Sequence, residues 1–157
     1  MPEHHRIINV FIDGRTSAAP SPKAEHERRA AIFDFLEDNR FVLPGGDTGP
    51  YNLHLSLNEN RLLFDVRDQV DAPVTRFALA LGFVRSLMRD YFVLCDGYYR
   101  AIKTLSASQI ETIDMGRRSL HDEGAARLKE RMASKAMIDM DTARRLFTLI
   151  CALHLRG

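Results

Sequence analysis

Apolar and polar positions along the chain follow two different periods, and they change over near Gly82. Before it, apart from one helix, the pattern is that of strands. Ile7 to Ile12 is rich in β-branched residues and predicts a first strand. Gly14 to Pro22 reads as a loop of Gly, Ser, Ala and Pro. Ser21 followed by Pro22 makes a good N-cap and first helical position, and that helix runs to about Asn39. Leu43 to Pro50 holds three Gly and two Pro and must be a turn-rich connection. Tyr51 to Asn58 then alternates strictly. Tyr51, Leu53, Leu55 and Leu57 face one way, and Asn52, His54, Ser56 and Asn58 the other, as in a half-buried strand. Leu62, Phe64 and Val66 continue the pattern. A two-residue loop at Glu59-Asn60 would pair Leu57 with Leu62, Leu55 with Phe64 and Leu53 with Val66, so that the apolar faces coincide. The same register sets His54 opposite Asp65 and Asn52 opposite Arg67. Val74 to Leu81 predicts a third strand of this meander, after a loop from Asp68 to Pro73.

After Gly82 the period is helical. Leu87, Tyr91, Leu94, Tyr98, Ile102 and Leu105 form one stripe. Ser106 or Ser108 can cap the next helix, from Gln109 to about Ser134. Asp139 or Asp141 can cap the last, which runs to Gly157. The last helix is apolar almost all round, with Ala143, Leu146, Phe147, Leu149, Ile150, Cys151, Leu153 and Leu155. Such a helix is either central or lies at a subunit interface. The order is β-α-β-β-β-α-α-α. It predicts an α+β fold, a small and mainly antiparallel sheet covered by C-terminal helices. One globular domain over residues 1–157 is the natural reading of this length, with residues 1–5 mobile.

Composition narrows the function classes. The 22 basic and 21 acidic side chains nearly cancel, which argues against a nucleic-acid binder and lends no support to electrostatic membrane attachment. Phe147 to Leu155, the longest strongly apolar stretch, is far too short to span a bilayer. Cys95 and Cys151 lie far apart in apolar helical sequence, so buried, inert thiols in a reducing cytosol are expected. The first five residues show no apolar core of a signal peptide. No zinc-type His spacing, P-loop or nucleophile elbow occurs, so neither a metal nor a cofactor is expected.

One helix breaks its own pattern. Asp114, Arg117 and His121 stand at i, i+3 and i+7, within roughly 60° of one another at about 100° per residue. Ile110, Ile113, Leu120, Gly124 and Leu128 share that arc. Ionisable groups on an apolar face must be paired, or hydrated by a pocket. In one reading Arg117 holds a carboxylate or phosphate in its planar fork and His121 handles a proton. In the other, Asp114 and Arg117 form an internal salt bridge and the rest is packing. Gly124, on the same face, points to close approach of another backbone or a ligand, or to close packing alone. Two weaker clusters share this character. Glu25 can reach Arg28 or Arg29 in the first two turns of the helix begun at Pro22. His54, Asp65 and Arg67, with Ser56 near, form the polar face of the hairpin.

Several segments in order resemble uncharacterised protein family 0262, an alphaproteobacterial family. They are Glu25-His-Glu-Arg with Ala31-Ile-Phe-Asp, Leu53-His-Leu-Ser-Leu with Phe64-Asp-Val-Arg-Asp, and Asp90-Tyr-Phe with Cys95-Asp. Ile113-Asp-Met-Gly-Arg-Arg, Leu120-His and Asp141-Thr-Ala-Arg-Arg-Leu-Phe-Thr-Leu-Ile follow. Leu155 stands where the family would have Trp, and Asp122 where it would have Asn. The resemblance implies a bacterial cytosolic home. It carries no activity and no catalytic residues.

The leading expectation is a binding or regulatory module acting through protein contacts, as a homodimer through its C-terminal helices. The alternative is a small enzyme or sensor for an anionic metabolite, using Arg117 and His121, with Asp114 orienting either one. The spatial question is whether either weaker cluster meets Arg117 and His121.

Overall fold

Strand β1 (Ile7–Ile12) is followed by helix α1 (Pro22–Glu37), then by strands β2 (Tyr51–Asn58), β3 (Arg61–Arg67) and β4 (Pro73–Ala80). A short 3-10 turn, Leu81–Val84, leads into helices α2 (Arg85–Ala101), α3 (Ala107–Met132) and α4 (Met140–Leu153). The structure is a computed structural model and describes residues 4–13 and 21–154. The expected ends of the α4 segment, Leu155 to Gly157, and most of the loop from Gly14 lie outside the described residues.

The sheet order is β1-β2-β3-β4. The β2–β3 hairpin has the register expected from alternation, with Leu53 opposite Val66, Leu55 opposite Phe64 and Leu57 opposite Leu62. A one-residue slip would turn every leucine to the polar side. Glu59 takes a positive φ of 57° in the two-residue turn. β3 and β4 are also antiparallel. The sheet is nonetheless mixed, because β1 pairs with β2 in parallel. A helical crossover of α1's length returns the chain to the same end of the sheet, which a hairpin cannot do.

One face of this sheet is apolar and buried. Leu53, Leu55, Leu62, Phe64, Val66 and Leu79 belong to a single core with residues of α1, α3 and α4. Phe64 and Phe77 stack across β3 and β4 at 4.7 Å. The opposite face carries Asn9, Phe11, Asn52, His54, Ser56, Asp65 and Arg67.

Capping residues set the helix starts. The Ser21 hydroxyl accepts from Ala24 N–H at 3.1 Å. Ser106, rather than Ser108, caps α3 in a reciprocal box with Gln109. Asp139, rather than Asp141, caps α4 by accepting from Thr142 N–H. Helix α2 ends at Ala101, one turn earlier than its apolar stripe suggests, and Ile102 and Leu105 lie beyond it, exposed.

Helix α4 packs between α1 and α3, and α2 packs on the outer side of α3. That placement accounts for an α4 apolar all round. Leu146, Phe147, Leu149, Ile150 and Leu153 are all buried within one chain. The N-terminal segment is tied in at His5, whose carbonyl accepts from Phe41 N–H.

Candidate functional site

The polar line on α3 lies where that helix emerges from the core. Its C-terminal half is fully buried at Gly124, Ala125, Leu128 and Met132, whereas Asp114, Arg117 and His121 are only partly covered. Gly124 sits against α4 so closely that a Cβ there would overlap the Phe147 ring. The close approach expected at this glycine is therefore helix-on-helix packing.

Asp114 and Arg117 are paired. Arg117 Nε donates to Asp114 Oδ1 at 3.2 Å, and Nη2 donates to the same oxygen. Arg118 takes the other carboxylate oxygen at 2.9 Å. The Arg117 hydrogen bonds hold the Asp114 carboxyl below its ordinary range. The Arg117 guanidinium also stands 5.3 Å from the centre of the Tyr98 ring, a cation–π distance. Beside it is the Cys95 thiol, pushed up by burial.

His121 is built differently. Its Nε2 lies 2.7 Å from the Thr148 hydroxyl on α4. Its ring meets Phe147 edge-on at 5.2 Å and Tyr91 of α2 at 5.5 Å. Burial lowers its pKa, as do Arg144 and Arg117, against an opposing pull from Asp122. Burial raises the Tyr91 phenol well above its ordinary value. Both groups are thus neutral near pH 7.

These residues line a cleft of about 360 Å³, walled by Tyr91, Arg117, Arg118, His121, Asp122 and Arg144. Arg144 reaches Asp122 through Nε at 2.9 Å and Asp141 through Nη1 at 2.8 Å. The polar line is therefore an ion pair and a cleft wall at once. Two of the expected residues, Arg117 and His121, line the cleft, and Asp114 stands behind Arg117.

Neither weaker cluster joins them. Glu25 pairs with Arg29 at 2.6 Å on an exposed helix surface, and not with Arg28. Arg28 is buried, and its Nη2 donates to the Leu153 carbonyl at the end of α4. A cation there satisfies a terminal carbonyl and complements the helix dipole. On the sheet, His54 does stand opposite Asp65, but its hydrogen bond goes to Asp71 in the β3–β4 loop, at 2.9 Å. Arg67 bridges Asp65 and Asp71, each at 2.9 Å. The hydrogen bond from His54 is the largest influence holding Asp71 below its usual range. Phe11 stacks on His54 at 4.8 Å above a shallow hollow of about 340 Å³.

Tyr91, Arg144 and Thr148 were not among the site residues expected from sequence. Arg144 and Thr148 did leave a trace, being polar positions four apart and so on one face of α4. Tyr91 sits within the apolar stripe of α2, where nothing in the pattern separates it from core.

Among the described residues, no group of three His, Cys, Asp or Glu side chains could hold a metal ion, and no helix is long and apolar enough to cross a membrane.

A UPF0262 protein of Rhodospirillum rubrum is 54% identical over 151 residues, covering 96% of this chain and 93% of that protein. One from Hyphomonas neptunium is 53% identical over 150 residues, with 96% and 93% covered. One from Azorhizobium caulinodans is 50% identical over 159 residues, with 99% and 98% covered. No solved structure matches the chain. The profile of an uncharacterised protein family, UPF0262, matches residues 4–156, and the chain belongs to that family, which has no assigned function.

Proposed function

We propose that this protein is a binding module for a small anionic metabolite, received in the cleft between α2, α3 and α4. The observation that carries this reading is the lining. Three of the six side chains are guanidiniums, against a single carboxylate, beside a neutral imidazole and a neutral phenol. Arginine forks suit carboxylate or phosphate oxygens. Among the described residues Arg144 spends Nε and Nη1 on aspartates, and its Nη2 is left for a ligand. The setting of this reading is the bacterial cytosol, supported by two free thiols.

A ligand that binds only the folded chain raises its stability. At one hundred times Kd the gain is about 2.7 kcal/mol. For a domain of this size that is a rise in Tm of roughly 5–10 °C. A thermal-shift screen of phosphates and dicarboxylates is the test. Arg144→Gln together with Arg117→Ala should abolish the rise while the variant still melts cooperatively. If no anion in the screen moves Tm at millimolar concentration, the reading fails.

A second reading, a module acting through protein contacts, is favoured by a different observation. Val93, Tyr99, Ile102, Leu105 and Met115, on α2, the turn after it and α3, are all more than two-fifths exposed. A homodimer through the C-terminal helices would use this α2–α3 edge, since the apolar surface of α4 is consumed inside the chain. The oligomeric state at micromolar concentration decides it.

A further inference from the structure

Thr148 determines how the His121 imidazole is wired. Its hydroxyl has one proton, and it donates that proton to the Arg144 carbonyl one helical turn back, at 3.1 Å. The same oxygen lies 2.7 Å from His121 Nε2. While that proton is on the carbonyl, Thr148 accepts from the ring and Nε2 carries the hydrogen. A neutral imidazole has one N–H, and Nδ1 is therefore a bare lone pair. Nδ1 has no hydrogen-bond partner among the described residues, and it is not one of the polar atoms sealed from solvent without one. It is left to whatever enters the cleft that His121 lines.

A cleft with guanidiniums on its rim and a lone pair on its wall does not suit every anion. Sulfate and simple carboxylates present only acceptor oxygens at neutral pH, and at Nδ1 they would set acceptor against acceptor. An anion with a hydroxyl offers that proton to Nδ1 while its other oxygens meet Arg144 and Arg118. Resting on the anion reading above, we propose that the cleft selects an oxyanion carrying its own hydroxyl proton, a hydrogen phosphate or a 2-hydroxycarboxylate, over one that has none. Thr148 is the positioning residue. It acts on the ligand only through the tautomer of His121.

The test is calorimetric titration of the full chain at pH 7.5 with two matched pairs, phosphate against sulfate and malate against succinate. The hydroxyl-bearing member of a pair should bind about tenfold tighter or more, the fold-change of one hydrogen bond to a charged ligand gained rather than forfeited. Preference within the phosphate pair alone names hydrogen phosphate. Preference within the malate pair alone names a 2-hydroxycarboxylate. Thr148→Val releases the ring to carry its proton on Nδ1, and the ratio within the preferred pair should fall toward one. Equal binding within both pairs overturns the selectivity and leaves the anion reading standing. No binding by any of the four probes overturns both. Nitrogen-15 shifts of His121 report the tautomer independently of any variant's folding, and a proton on Nδ1 in the unliganded wild-type chain overturns the wiring.

Discussion

Replacing Gly124 with alanine tests how tightly the cleft wall is packed. On an exposed helix surface the change would stabilise by about 1 kcal/mol, because glycine is the poorer helix former. Here the new methyl would overlap Cε1 of Phe147 and stand 2.6 and 2.9 Å from Cζ and Cδ1 of the same ring. Comfortable carbon–carbon contact lies near 3.5–4.0 Å. The ring has little room to retreat. Phe147 is fully buried, with Tyr91 at 5.9 Å and His121 at 5.2 Å between ring centres. Overpacking of this kind costs about 1–3 kcal/mol, and three close ring contacts place it in the upper part of that range. After the helix-propensity gain, the net loss should be about 1–2 kcal/mol. That corresponds to a fall in Tm of roughly 2–8 °C for a domain of this size. Thermal melts followed by circular dichroism measure it. Phe147→Leu in the same chain relieves the overlap, so the double variant should be less destabilised than the sum of the singles, by about 1 kcal/mol. A Gly124→Ala variant as stable as wild type or more so, or strict additivity with Phe147→Leu, would refute the packing argument.

Stability should depend on pH through His121. Its pKa is lowered by burial from the ordinary 6.5, so the unfolded chain takes up a proton before the folded one does. Stability should fall as pH drops from about 6.5 toward that lowered value, and His121→Gln should flatten the slope of Tm in this window. An identical slope in the variant would exclude His121 as its source. For the protein-contact reading, Tyr99→Glu with Ile102→Glu should convert a micromolar dimer to monomer in sedimentation. A wild-type chain that sediments only as monomer rejects the homodimer.

Much of the sheet was legible because alternation is a local signal. Tyr51 to Val66 carries one side chain in and the next out, and only one register puts both leucine rows on the same side. The caps were legible in kind but not in detail. Ser106 and Ser108, or Asp139 and Asp141, have the same chemistry, and the choice depended on which residue had its N3 partner in reach. The direction of β1 was less clear, since a strand's own residues do not say which end of the sheet the following helix returns to.

The site divides along the same line. Sequence by itself determined that Asp114, Arg117 and His121 share one helical arc, that Asp114 could pair within its own helix, and that α4 had to be central or covered. Those conclusions need only the geometry of a single helix. Tertiary structure decided which of the two fates α4 met, by placing it between α1 and α3. It also decided what the polar line faces. Glu25, Arg28 and the His54 face were separated from it, and Tyr91, Arg144 and Thr148 were brought to it. Those three lie 26, 27 and 27 residues away from Arg117 or His121 along the chain, counting Tyr91 to Arg117, Arg117 to Arg144 and His121 to Thr148. No local period relates residues at such separations. Only the packing of α2 and α4 against α3 does, and at the α3–α4 contact the Phe147 ring sits on Gly124 with no room for a Cβ between them.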